Sequence, residues 1–159
     1  MSNDLLVFNL GQQQFALPVG QVSTVVPRAT LTPLPGAPAD LIGLLRLRGA
    51  LCPVIDIRAR LGLPAVVPHI GERIVVMRTT TFAVGLLVER IVGLVVVPGV
   101  DAIDRPATVA GDGLIRNVQE VAGQVVATLD AEVAVGSDVR MYLVATADGL
   151  HGLVRQTAA

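Results

Sequence analysis

The chain has 159 residues, 52% hydrophobic but only 3% aromatic, with 16 Gly, 10 Pro and a formal net charge of -1 from 12 cations, all arginine, and 13 acids. That length suits one domain with a substantial core, and the near-balanced charge excludes the basic footprint of a nucleic-acid binder. Met1-Ser-Asn-Asp4 lacks the basic and apolar regions of a signal peptide, and the longest apolar run, near Ile91 to Val100, is too short to span a bilayer, so a cytoplasmic protein without membrane insertion is expected.

In chain order, the apolar runs Leu6-Val-Phe-Asn-Leu10 and Phe15-Ala-Leu-Pro-Val19 flank polar Gly11-Gln-Gln-Gln14 and read as a β-hairpin. An apolar strand ending at Val25-Val-Pro27 follows, then the loop Leu34-Pro-Gly-Ala-Pro38. The stretch Gly43 to Pro64, GLLRLRGALCPVIDIRARLGLP, joins a strand, a Gly-marked turn, a second strand and a short helix over Asp56 to Leu63. Asp56 is its N-cap and Gly62-Leu-Pro64 its stop. A second hairpin joins Ile74-Val-Val-Met-Arg78 to Phe82-Ala-Val-Gly-Leu86 across Thr79-Thr-Thr81, and leads to a strand ending at Val95-Val-Val-Pro98. Near the C-terminus, Arg140 to Val154 reads as an added hairpin turning at Asp148-Gly149.

The order of these elements repeats. Gly49-Ala-Leu-Cys-Pro-Val-Ile-Asp56 and Gly123-Gln-Val-Val-Ala-Thr-Leu-Asp130 share the pattern Gly-x-apolar-apolar-x-x-apolar-Asp, and the two hairpins stand upstream of them in the same way. Gly49 and Gly123 anchor turns, Gly49 with a positive φ, while Asp56 and Asp130 close each copy. A period of about 70 residues exceeds the 20–50 of solenoids and propellers, so two lobes of one compact domain are expected. Abundant Val, Ile and Leu with frequent Gly and Pro favour many short strands, an all-β pair of small barrels.

Chemistry-bearing residues are few. Cys52 lies among aliphatic residues beside Pro53, where a lone cysteine is more often a small buried hydrophobe than a nucleophile. Being single, it forms no intrachain disulfide. His69, His151, Cys52 and the scattered carboxylates show no metal-ligand spacing. Phosphate-loop, dinucleotide and nucleophile-elbow motifs are absent. No enzymatic activity, cofactor or metal is expected.

The run GLLRLRGALCPVIDIRARLGLP resembles the signature of the CheW-like family of chemotaxis adaptors. In order around it, Phe8-Asn-Leu-Gly-Gln-Gln-Gln-Phe15-Ala-Leu-Pro-Val19 is similar to the family's opening hairpin, Leu34 to Pro38 to its Pro-rich approach, and Val84-Gly-Leu-Leu-Val-Glu-Arg-Ile91 to its Val-Gly-apolar-apolar-Val-Asp segment. The resemblance covers about residues 5–131. It implies two intertwined five-stranded SH3-like barrels with a short helix, in lobes of about 12–73 and 74–131, leaving 132–159 as an added hairpin or closing strands and tail. It further implies a cytoplasmic, non-enzymatic adaptor at membrane-associated receptor arrays of a motility system. The implied partners are the regulatory domain of a CheA-type histidine kinase, the cytoplasmic tip of a methyl-accepting chemoreceptor, and other CheW-like domains. The alternative is a diverged scaffold that binds receptor or itself and no longer couples to the kinase.

Contact residues follow from that resemblance by position. Val22 and Val25 match the segment lining the receptor groove, and Leu87 and Val88 the corresponding strand of the second lobe, although all four would equally fill barrel interiors. Arg48 matches an arginine of the family pattern, bracing a loop through carbonyls or Asp56, or facing a partner. Thr24 stands where the family commonly has Glu, and Arg46 where it has Asn; both changes move local charge towards positive. They leave open the standard partners or a specialised receptor and kinase set, such as one governing surface motility.

Overall fold

The computed structural model describes residues 4–96 and 113–146. They form strands β1 (Asp4–Leu10), β2 (Gln13–Pro18), β3 (Val22–Pro27), β4 (Leu41–Leu47), β5 (Ala50–Ile55), β6 (Arg73–Arg78), β7 (Ala83–Val88), β8 (Arg90–Val96), β9 (Ile115–Val121) and β10 (Gln124–Leu129), then helices α1 (Ala131–Val135) and α2 (Ser137–Thr146). The strands make two five-stranded sheets, ordered β8-β1-β2-β10-β9 and β3-β6-β7-β5-β4. The fold is the expected all-β class, two intertwined lobes.

The intertwining has a definite form. β4 and β5 pair antiparallel about Arg48-Gly49, and β9 and β10 about Ala122-Gly123. Both turn residues have positive φ in each case: 52° and 79° in the first, 48° and 80° in the second. That is the type I′ geometry, whose twist matches the strands it joins. The two octets thus occupy equivalent places. Past the turns, however, β5 adds in parallel to β7, and β10 in parallel to β2. Each lobe therefore takes the opening hairpin of one repeat and the last three strands of the other. The sheets do not divide at 73/74: one holds β3 to β7, nested inside the chain segments of the other.

Burial follows this plan. The largest apolar cluster lies between the sheets and takes Leu6, Phe8 and Leu10 from β1, Val75 and Met77 from β6, and Val84, Leu86 and Val88 from β7. On its far side each sheet curls around a smaller cluster, with Leu5, Val7, Ala16 and Val126 in one, and Leu45, Cys52, Val54, Ile74, Val76, Ala83 and Leu87 in the other. β7 is buried on both faces, which is why Ala83–Val88 is an unbroken apolar run.

Two expected elements differ. Residues 56–63 make a single tight turn rather than a helix: the amide of Leu61 donates to the Ile57 carbonyl and that of Gly62 to the Ala59 carbonyl, both at 3.1 Å. The caps are as expected, with the Arg58 amide donating to Asp56 Oδ1 at 3.0 Å and Gly62 at a φ of 72°, but they stand so close together that only one turn fits between them. Residues 140–146, expected as the first strand of a hairpin, belong to the helix α2, which spans Ser137–Thr146. Its buried positions, Val139 and Leu143, are spaced i, i+4 and dock in the central cluster. The expected turn at Asp148-Gly149 lies outside the described residues. α1 begins at Asp130, whose side chain accepts from the Glu132 amide as an N-cap.

Candidate functional site

The residues expected to contact partners fall into three places. Val22, Thr24 and Val25 lie half-buried on β3, a margin strand of its sheet, with Val22 and Val25 packed against the central cluster. Arg46 and Arg48 are exposed on the β4–β5 hairpin. Leu87 and Val88 are 2% and 0% exposed and fill lobe interiors, so they line no open groove. Arg48 is also not a brace. It occupies the first turn position at φ 52°, its backbone held by the hairpin while its side chain projects away, and Asp56 pairs with Arg58 instead.

A surface that sequence reasoning missed lies on β8. This strand is the opposite number of β3, at the margin of the other sheet and paired to β1. Its residues alternate in burial: Val92, Leu94 and Val96 are 45%, 71% and 74% exposed, while Ile91 and Val95 turn inward to pack. Among the described residues no strand pairs beyond β8, and an aliphatic row beside such an edge is a feature that suits docking. Because Ile91 to Val96 is apolar on both faces apart from Gly93, its composition carried no sign of which face meets solvent.

What holds these margins in place is a charge network that includes a nearly buried arginine. Arg58 Nε and Nη2 donate to Asp56 Oδ1 and Oδ2 at 3.0 and 2.8 Å, and Nη1 donates to Glu89 Oε1 at 3.3 Å and lies 3.7 Å from Glu72 Oε2. Glu72, fully buried, also accepts from Arg28 Nη1 at 2.6 Å and from the His69 amide at 3.1 Å through Oε1. The hydrogen bonds to Asp56 raise the Arg58 pKa, outweighing burial, and hold the guanidinium charged. Glu89 stands between β7 and β8, where the chain crosses from one sheet to the other, so the network ties that crossing to the end of β5 and the start of β6. The readable signal was Asp56-x-Arg58, a spacing that lets an N-cap carboxylate also take a guanidinium in bidentate fashion. Nearby, Arg60 Nη1 and Nη2 donate to the carbonyls of Ala134 and Val133 at 2.6 and 3.0 Å, closing the end of α1.

Cys52, 1% exposed, lies inside one lobe, and burial pushes its thiol up to about 11, against a smaller opposing effect of the Gly85 backbone. The native protein is therefore expected to resist a thiol reagent such as DTNB at pH 8 and to react fully once unfolded in guanidinium; fast labelling of the folded chain contradicts this placement. Among the described residues no group of three or more His, Cys, Asp or Glu could hold a metal ion, and no helix among them is long and apolar enough to cross a membrane.

Comparison with known proteins adds to this geometry. The profile of the family described as CheW-like domain matches residues 4–138. The chain is 30% identical over 140 residues to the "Chemotaxis protein CheW" of Rhizobium meliloti, covering 86% of this chain and 90% of that one. It is 29% identical over 87 residues to "Protein PilI" of Pseudomonas aeruginosa, covering 55% of this chain and 49% of that one. Among solved structures it is similar to the scaffolding protein TtCheW from Thermoanaerobacter tengcongensis, with a TM-score of 0.79, 20% identity, and coverage of 87% of this chain and 91% of that chain.

Proposed function

This chain belongs to the CheW-like domain family, and on that footing we propose that it is a non-enzymatic chemosensory adaptor coupling chemoreceptors to a CheA-type histidine kinase in cytoplasmic arrays. The observation that carries this reading is the exposed row Val92, Leu94 and Val96 on the margin strand β8. A strand edge with an aliphatic flank suits a partner of like build, which adds its own strand edge and covers the row. The kinase's regulatory domain, homologous to this fold, has that build. The half-buried Val22 and Val25 on β3 offer the equivalent margin of the other lobe to an apolar receptor helix.

Calorimetric titration against the regulatory domain of a CheA-type kinase from the source genome tests the reading. Wild type is expected to bind with weak salt dependence, because an apolar contact releases few ions. Leu94→Asp places a charge in the contact and should weaken binding at least tenfold, which is about 1.4 kcal/mol, with an unchanged melting temperature because the side chain is exposed. Arg48→Ala, also exposed, keeps the fold and reports whether the β4–β5 hairpin shares the contact. Binding by wild type that Leu94→Asp leaves intact removes β8 from the interface. No binding to any CheA-type kinase leaves the diverged scaffold, which touches receptor or itself alone.

A further inference from the structure

The two lobes share one strand plan but are filled with different chemistry. In the lobe of β3 to β7, the inward positions across β7, β5 and β4 are Ala83, Val54, Leu45 and Gly43, all apolar or bare. The same places across β2, β10 and β9 of the other lobe hold Gln14, Thr128, Gln119 and Asn117, by the pairings Gln14 with Val126, Val126 with Gln119, and Thr128 with Asn117. Thr128 and Gln119 are 4% and 5% exposed. The side-chain oxygens of Thr128, Asn117 and Asn9, the last beside Gln14 on β1, are buried and have no hydrogen-bond partner among the described residues. Buried acceptors are nearly always met, by protein or by ordered water, because leaving one unmet is costly.

Size and charge decide what meets them. The four polar side chains are together bulkier than the ones they replace and none carries a charge, which favours a small neutral ligand over a metabolite or an ion. Thr128 and Asn117 stand directly opposite each other on neighbouring strands, where Cβ atoms lie about 4.5–5.5 Å apart. That span suits one small molecule that can both donate and accept. We propose that the lobe of β1, β2, β8, β9 and β10 is a buried water site: one ordered molecule donates to Asn117 Oδ1 and accepts from the Thr128 hydroxyl. The apolar lobe stays dry. A water with two or more polar partners in such a site is an integral part of the fold.

The test is water-to-methyl cross-relaxation NMR on the full chain, with water itself as the probe. Long-lived water should give cross-peaks to the Val126 and Val7 methyls, which share the polar face, and none to Val54 and Val76 in the other lobe. Asn117→Ala and Thr128→Val should each reduce the Val126 peak several-fold, with Asn117→Ser as a substitute should the alanine variant misfold. Absence of the wild-type peaks overturns the proposal, as do equal peaks in both lobes. A peak lost in Thr128→Val but untouched by either change at Asn117 arises from hydroxyl exchange and overturns it too.

Discussion

Arg58→Ala should lower the unfolding free energy by about 3–5 kcal/mol, the usual result of removing one partner from a buried ion pair. The arginine is only 6% exposed and faces three carboxylates, those of Asp56, Glu72 and Glu89. Without it, Glu72 keeps Arg28 on Oε1, but its second oxygen is left buried with no cation, and Asp56 loses both arms of its bidentate contact. Alanine also removes the stem that fills this space. Denaturant unfolding followed by circular dichroism measures the effect; a loss below about 1 kcal/mol would mean that solvent reaches the network and screens it. Arg58→Lys is expected to recover only part of the loss, since a single ammonium cannot take Asp56 in bidentate fashion and reach Glu89 together.

Gly43→Ala should also destabilise the fold clearly, by about 1–3 kcal/mol for overpacking. A Cβ built there meets Leu31 Cβ and the Thr32 carbonyl oxygen, each at 2.9 Å. Neither can yield easily. Thr32 is stitched to β4 by reciprocal hydrogen bonds with Leu44, at 2.9 and 2.8 Å, and Leu31 packs on the cluster inside the lobe. Gly20→Ala is the control, because a Cβ there meets nothing within 4 Å. A Gly43→Ala melting temperature equal to that of Gly20→Ala would show that the segment at Leu31 does not lie against β4.

Much of the fold was legible because it is written in short-range signals. The Gly49 and Gly123 turns, the two opening hairpins and the repeated octet are all local, and pairing across a two-residue turn leaves little choice of register. The strand exchange was not legible from the residues, since the parallel contacts of Val54 with Gly85 and of Thr128 with Ala16 join segments far apart in the chain and leave no mark on either strand. The helix α2 was misread because the Asp148-Gly149 turn signal pointed to a hairpin, and only the packing of Val139 and Leu143 selects the helical period. The site fared worse than the fold. Leu87 and Val88 belong to a strand buried on both faces, and Val92, Leu94 and Val96 to one exposed on a single face, yet the two runs have nearly the same composition. Which side of a strand faces water depends on what packs beside it, a property of the whole molecule.

The exchange of strands between the repeats also bears on how such a chain can arise and come apart. Neither repeat closes a sheet alone: β1 to β5 would supply two strands of one lobe and three of the other. An ancestor one repeat long could complete both lobes only by pairing with a second copy, as a reciprocal domain-swapped dimer, and joining two such genes end to end would yield the present chain. Conversely, cutting this chain between Ile70 and Arg73 should give two fragments that fold only when mixed.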